Sequence, residues 1–516
     1  MVLRSPLSDL EIPDLPLHAF IFEHADARAD KPALIDGPSG RTITYGELTR
    51  GVEALAAGLA ARGLEPGGVV GIFSPNLPEY ALAFHGIARA GGTVTTVNPT
   101  ATTKELTRQL SDADARFLLT APPFVETARQ AADEAEVETV FVFGEADGAT
   151  PFSELMGDPS SAPDVDIDAA EDLVVLPFSS GTTGLPKGVM LTHRNLVANV
   201  LQSEALLETS ADDVVIGVLP FFHIYGMTVI MNLALRNGAT VVTMPRFDLQ
   251  QFLELHAEHE ITQCYAVPPI VLALAKQPVV DDYDLSSVRF VMSGAAPLSA
   301  DLAEAAAERL GCTVLQGYGL TETSPVTHVN PIERNKPGTV GVLLPSTEAR
   351  IVDLDSDEEV AAGDRGELCV RGPQIMKGYL NNQSATDAMI DPDGWLHTGD
   401  IAVVDDEGYF SIVDRVKELI KYKGFQVPPA ELEALLLEHP DISDAAVVGR
   451  PDEEAGEIPV AFVVADGLEP DAVLAWVAER VAPYKKLRGI EMVDEIPKSA
   501  SGKILRRELI ERMRDA

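Results

Sequence analysis

The run Ser179-Ser-Gly-Thr-Thr-Gly-Leu-Pro-Lys-Gly188 packs four hydroxyl residues, three glycines and one lysine into ten positions. It directly follows the apolar stretch at residues 173–178, which reads as a buried strand. Such residues leave N–H and O–H donors free to wrap phosphate oxygens, and Lys187 adds a point charge. A flexible Ser/Gly linker has a similar composition. A linker, however, rarely follows a buried strand and frames a single lysine between Pro186 and Gly188. A Walker loop needs Gly-Lys-Ser/Thr, which this run lacks. The chemistry is phosphate binding without a Walker fold. His223, in Leu219-Pro-Phe-Phe-His-Ile-Tyr-Gly226, sits in an apolar run, where a histidine usually satisfies a core position. His256 and His259 stand three apart in a Glu-rich helical stretch with no third ligand evident, and are expected at the surface rather than on a metal.

The elements that must hold these residues alternate in type. Short β-branched runs at residues 69–73, 93–97, 115–119, 137–143, 213–219, 240–244 and 289–293 alternate with helical stretches such as Pro78–Arg89. That beat implies βαβ units and parallel or mixed sheets. Residues 151–168, rich in Pro, Ser and Asp, read as a surface loop. From residue 340 to 371 the pattern turns to short strands with turns, a β-rich subdomain. A boundary is expected at Asp414-Arg415, followed by a small α/β unit with helices at 429–438 and 471–481 and strands at 445–448 and 460–464.

At 516 residues the chain is too long for one compact core. Its 46% hydrophobic and 23% charged residues describe a globular protein and exclude a disordered or fibrous one. The net charge of −41 repels nucleic acid and anionic lipid, so neither is expected as a partner. The first residues lack a signal peptide, and the longest apolar run, residues 224–235, is short of the ~20 residues that span a bilayer. A cytoplasmic protein without stable membrane insertion, a monomer or weak homodimer, is expected. Three scattered cysteines, Cys264, Cys312 and Cys369, suit a reducing compartment, and Cys369 is expected to pack in a strand. Eighty acids against 13 lysines fit either salt adaptation or an arginine-favouring genome, the second being the plainer reading. Charge is also unevenly spread. After Asp414 there are 15 Lys and Arg against 20 acids, but 24 against 60 up to it. Seven of the 13 lysines lie in that last fifth. A solvated basic face would suffice, yet an anionic ligand met by this segment accounts better for the concentration.

The phosphate-type loop resembles the signature of the adenylate-forming superfamily, which comprises acyl-CoA synthetases, luciferases and peptide-synthetase adenylation domains. Further matches follow in order: Gln316-Gly-Tyr-Gly-Leu-Thr-Glu322, Thr398-Gly-Asp400, Asp414-Arg415, Lys421-Tyr-Lys-Gly424 and Pro497-Lys-Ser-Ala-Ser-Gly-Lys503. Together they span nearly the whole chain. Within the superfamily the sequence is most similar to 4-coumarate–CoA ligases, through Gly366-Glu-Leu-Cys-Val-Arg-Gly372 and Lys417-Glu-Leu-Ile-Lys-Tyr-Lys-Gly-Phe-Gln426.

The resemblance implies an acid that reacts with ATP to give acyl-adenylate and pyrophosphate, after which the thiol of coenzyme A displaces AMP. It implies that Ser179, Ser180, Gly181, Thr182, Thr183 and Lys187 hold phosphates, and that Thr183 and Glu322 hold Mg²⁺. Gly294, Ala295 and Ala296 would run along the nucleotide and acyl group, with Gln316 and Gly317 also at the nucleotide. Tyr318 would stack on adenine and Thr321 would contact phosphate. Asp400 would accept from the ribose hydroxyls, supported by Arg415. Lys503 would stabilise the pentavalent phosphorus of adenylation. His223 would lie beside the acyl carboxylate and gate the thiol's route, near Tyr225. Lys417 would contact nucleotide and substrate. Lys421, Lys423 and Gly424 would serve thioester formation, and Arg246 would contact CoA phosphate. Phe222, Gly294 and residues 323–328 would line the acid pocket, and Gly294 leaves room for a ring.

The implied fold is α/β, α+β in places. A large N-terminal domain of mixed sheets flanked by helices, residues 1–413, carries the β-rich subdomain. Residue 414 is a hinge, and residues 415–516 form a small mobile α/β lid. Its cationic face over ATP and CoA would explain the lysine concentration. Rivals are a medium- or long-chain fatty acyl-CoA ligase, a luciferase-like oxygenase and a non-catalytic nucleotide binder.

Overall fold

The computed structural model describes residues 2–515 except 180–185, 355, 357, 424, 453–454, 466 and 500–501. Its strands fall into four sheets. Two large ones carry the βαβ beat of the first three hundred residues. In one, Val69–Phe73 lies parallel to Thr93–Val97 on one side and Ala115–Thr120 on the other. The other runs in parallel through Thr240–Thr243, Val214–Gly217, Gln263–Ala266, Phe290–Ser293 and Thr313–Gly319. Parallel strands buried on both faces read as continuous β-branched runs, and Thr93–Val97 and Thr240–Thr243 are buried at every position.

Helices between the strands start where the sequence supplies caps. Thr44 Oγ1 accepts from the Glu47 amide at 3.2 Å, and the Glu47 carboxylate accepts from the Thr44 amide at 2.9 Å. This capping box opens Tyr45–Ala61. Pro78 at the first position opens Pro78–Arg89. Both helices pack into one apolar core shared by the two large sheets.

A third, antiparallel sheet orders Leu3–Arg4, Glu348–Val352, Gly366–Arg371, Leu396–Val404 and Phe410–Arg415 around its own core of Ile351, Leu368, Val370, Leu396 and Phe410. The fourth, built from Ile420–Tyr422, Phe425–Val427, Ile442–Asp452, Gly456–Ala465 and Gly489–Met492, buries alternate residues on its two faces. Val447, Ala461 and Val463 meet the helices Pro429–Leu437 and Pro470–Ala478 on one face. Ala446, Val448 and Phe462 meet Leu509 of Arg506–Asp515 on the other.

Three expectations need correction. Residues 173–178 are not one unbroken strand: Leu173–Val175 and Phe178–Ser179 both pair with Lys187–Thr192, and Pro177, which has no N–H to donate, lies between them. Residues 151–168 are not wholly a surface loop. Phe152 and Leu155 are buried, and the chain passes so close to Gly58 that a Cβ there would lie 1.5 Å from the Leu155 carbonyl oxygen. His256 is not at the surface. Its 2% exposure, its ring 4.1 Å from Phe252 and its Nδ1 bonded to the Phe252 carbonyl make it a core residue. The long apolar run at 224–235 includes a π-helical stretch, Gly226–Asn232. No helix among the described residues is long and apolar enough to cross a membrane.

Candidate active site

The phosphate-type loop is closed by an antiparallel pair. Ser179 stands opposite Lys187 in register, so strand pairing fixes both ends of the run. Ser180, Gly181, Thr182 and Thr183 lie outside the described residues, as does Gly424. Ser179 Oγ donates to Glu322 Oε1 at 2.9 Å, and the Tyr379 hydroxyl donates to the same oxygen at 2.8 Å. Lys187 Nζ lies 4.9 Å above the Tyr379 ring. Glu322 is 6% exposed on the short 3₁₀ turn Thr321–Thr323 that follows Thr313–Gly319. A buried carboxylate with two neutral donors on one oxygen keeps its other oxygen for a further partner.

Asp400 forms the second focus. On Leu396–Val404 it faces Arg415 of Phe410–Arg415 in register, and Arg415 Nε lies 3.0 Å from Oδ1. The Tyr318 hydroxyl donates to Oδ2 at 2.6 Å. Burial raises the Asp400 pKa, while Arg415, the Tyr318 hydroxyl and Lys503 oppose the rise. Tyr318 comes from the end of Thr313–Gly319, and its ring lies 5.7 Å from His328, which in turn lies 4.4 Å from Phe410.

Lys503 reaches this focus from the C-terminal unit. The turn carrying it closes through the Ser499 amide on the Lys503 carbonyl at 2.8 Å and the Lys503 amide on Ser499 Oγ at 3.2 Å. Gly502, at φ +78°, leans on Val267 so closely that a Cβ would lie 3.3 Å from that side chain. Burial lowers the Lys503 pKa and Arg415 adds to it, against the pull of Glu418 and Asp400. His223 is within the same field. Burial pushes its imidazole down to about 4, and Lys503 contributes. The Tyr225 amide donates to His223 Nδ1 at 3.3 Å, which assigns the neutral ring's proton to Nε2.

A third group lines the space beside His223. Thr96 Oγ1 holds the Phe222 carbonyl at 2.7 Å. The Tyr225 hydroxyl donates to the Met292 carbonyl at 3.1 Å. Tyr225 so closely covers Gly294 that a Cβ there would lie 2.9 Å from its ring. Ala295 adopts φ +68°, a left-handed conformation that a non-glycine residue holds at a cost of ~1–3 kcal/mol. Gln316 Oε1 accepts from the Leu298 amide at 3.1 Å, bracing the same turn. Gly317 packs where a Cβ would meet Met292, and Thr321 begins the turn that carries Glu322.

The structure thus gathers Ser179, Lys187 and Glu322 in one place, and Asp400, Arg415, Tyr318, Lys503 and His223 in another. Arg246, Lys417, Lys421 and Lys423 are exposed. Lys421 and Lys423 belong to the hairpin Ile420–Tyr422/Phe425–Val427, whose Phe425 stacks on Tyr484 at 4.8 Å. Tyr379 was missed from the sequence, whereas His328 stands at the end of the 323–328 segment expected at the acid pocket and instead packs between Tyr318 and Phe410. A lone Tyr in Gly378-Tyr379 carries no spacing signal, so only folding shows its contacts.

The AMP-binding enzyme family matches residues 21–380, and the AMP-binding enzyme C-terminal domain matches residues 431–503. The chain belongs to the AMP-binding enzyme family. The potato (Solanum tuberosum) 4-coumarate–CoA ligase 1 is 45% identical over 528 residues, covering 99% of this chain and 97% of the relative. Among solved structures, ATP-bound MatB from Rhodopseudomonas palustris superposes with a TM-score of 0.88 at 30% identity, covering 98% of this chain and 99% of that one. An anthranilate CoA ligase in complex with anthranoyl-AMP gives 0.89 at 26% identity, with 98% of each chain covered. This is an adenylate-forming enzyme with the mixed α/β architecture of that superfamily.

Proposed function

We propose that the protein is an ATP-dependent, AMP-forming acid–CoA ligase acting on 4-coumarate or a related aryl acid. The observation that carries this is Lys503, delivered from the C-terminal unit to the Asp400–Arg415 pair and His223. The acid's carboxylate attacks the α-phosphorus of ATP, expelling pyrophosphate. Lys503 stabilises the charge that builds on the phosphorus oxygens, and Asp400 orients the ribose through its remaining lone pairs. This is catalysis by position and fixed charge. His223, neutral near pH 7, donates Nε2–H to the carboxylate of the acid. The thiol of CoA then attacks the acyl carbonyl, and AMP leaves.

Glu322 suits Mg²⁺: its buried carboxylate is tied through Oε1 to Ser179 at the start of the phosphate-type loop, and hard cations favour such oxygens. When bound with Thr183, Mg²⁺ would neutralise ATP phosphate charge.

Residues 415–516 act as a lid that turns about Asp414. Asp414 accepts from the Arg415 amide at 2.6 Å and the Ala430 amide at 3.3 Å, and burial pushes its carboxyl up to about 7. With Lys503 turned in, Lys421 and Lys423 face solvent. Rotation would bring them, with Gly424, to the thioester step, where Lys417 and Arg246 meet the nucleotide and CoA phosphates. The aryl preference rests on the flat ring of Tyr225, which packs on Gly294 where any side chain would displace it, and on the similarity to 4-coumarate–CoA ligases.

The test is a panel of cinnamates, benzoates and fatty acids, following AMP, pyrophosphate and thioester together. Equal release of all three, fastest with hydroxycinnamates, is expected. Release of ADP and phosphate, or faster turnover of hexanoate, would contradict it.

A further inference from the structure

The Gly366–Arg371 and Leu396–Val404 strands bring together three side chains that the reaction above does not use. Cys369 and His397 are partners across the two strands, and Glu367 lies two residues before Cys369, separated from it by a shift in register. Cys369 Sγ is 3.4 Å from His397 Nδ1, and Nδ1 is 3.1 Å from Glu367 Oε2. All three ligand atoms lie within 4.8 Å of one another. Tetrahedral zinc bonds of ~2.0–2.3 Å place neighbouring ligand atoms ~3.4 Å apart. Two of the three separations therefore already match the edges of such a tetrahedron, and the third lies within 4.8 Å.

Their surroundings orient them as outer partners of a metal site do. The Gly399 amide donates to Glu367 Oε1 at 2.9 Å, leaving Oε2 to face the ring. On the far side of the imidazole, Nε2 is 3.9 Å from Asp391 Oδ2, which Arg350 holds at 2.8 Å. Cys369 is buried, whereas the side chains of His397 and Glu367 are 23% and 21% exposed. A cation could enter from that side. Thiolate, imidazole and a single carboxylate oxygen are a borderline-soft set that favours zinc over magnesium.

We propose that Cys369, His397 and Glu367 form a binding site for one divalent cation of the zinc class, with water completing the tetrahedron. Binding expels the thiol proton and any proton on His397 Nδ1, so it weakens as the pH falls. Because Gly399 bonds to Glu367 and precedes Asp400, the site adjoins the segment proposed to hold ribose. Without metal, His397 and Glu367 face one another as an ion pair at 3.1 Å.

The test is titration of the chelator-treated full chain with Co²⁺. One equivalent should produce tetrahedral visible bands and a thiolate-to-cobalt charge-transfer band, displaced by stoichiometric Zn²⁺ but not by excess Mg²⁺. Cys369→Ser should remove the charge-transfer band, and Cys312→Ser should keep it. His397→Gln should weaken binding at least ~10-fold. If Cys369→Ser fails to fold, the wild-type spectrum and His397→Gln decide. No charge-transfer band in the wild type, its survival in Cys369→Ser, its loss in Cys312→Ser, unchanged affinity in His397→Gln or displacement by Mg²⁺ would each overturn the site.

Discussion

At Gly294 one missing carbon decides how closely Tyr225 covers the space beside His223. A Cβ built there meets the Tyr225 ring at 2.9 Å, and that ring is fixed by its hydroxyl on the Met292 carbonyl. A larger side chain there must therefore displace the Tyr225 ring from this position. Gly294→Leu should lower kcat/KM for 4-coumarate by more than ~10-fold, on the scale of the 1–3 kcal/mol that overpacking costs. Hexanoate, being narrower, should lose far less; steady-state kinetics on both acids would show it, and equal losses would place the aryl ring elsewhere. Much of this scale was legible in the sequence. Glu322, Asp400, Arg415 and Lys503 were singled out through motifs whose order along the chain is specific. Tyr379, which shares the Glu322 oxygen with Ser179, was not legible, because it approaches from a strand 57 residues further along the chain with no accompanying pattern. His256 was misread for a related reason. Its Glu-rich neighbours suggested solvent, while its own face of Leu249–Glu258 turns inward onto Phe252.

Among elements, the turn that carries Lys503 shows how local geometry sets chemistry. Gly502 holds φ +78° and sits against Val267, so the turn has both a backbone and a packing reason for glycine. Gly502→Ala puts a Cβ 3.3 Å from Val267 in a conformation that costs an L-residue ~1–2 kcal/mol. The expected outcome is a roughly ten-fold slower acid-dependent pyrophosphate exchange with little change in melting temperature. An unchanged exchange rate would show that this turn does not position Lys503. The βαβ beat was readable at this scale because strands buried on both faces are β-branched throughout, and caps such as Thr44–Glu47 mark where helices begin. The break at Pro177 and the burial of Phe152 and Leu155 were not. One depends on which hydrogen bonds the neighbouring strands demand, the other on Gly58 letting a polar-looking tract approach the core.

The whole molecule carries a titration that no single site reveals. Burial holds the imidazoles of His18 and His85 down to about 3, those of His193, His223 and His256 to about 4, and that of His328 to about 3. These rings are neutral in the folded chain and take up protons near pH 6.5 once unfolded. Their contribution is therefore fully present above pH 6.5 and lost as the pH falls towards 4. Each of the six gives up about 1.3 kcal/mol between pH 7.5 and 5.5, about 8 kcal/mol together. Asp414, raised to about 7, works in the other direction. It is protonated when folded but ionised when unfolded, and it returns about 2 kcal/mol over the same interval. The net expectation is a melting temperature that drops steeply from pH 7.5 to 5.5; a flat or rising profile would contradict it. One C-terminal unit is proposed to serve two half-reactions with different lysines. Lys503 is turned towards Asp400 and His223, while Lys421 is exposed on its hairpin. The most direct measurement is Lys503→Ala assayed in both halves. Acid-dependent pyrophosphate exchange should fall by at least ~10³-fold, the scale of a lost charge-stabilising group, while thioester formation from supplied acyl-adenylate stays within a few-fold of wild type. Equal loss in both half-reactions would contradict the two-lysine account.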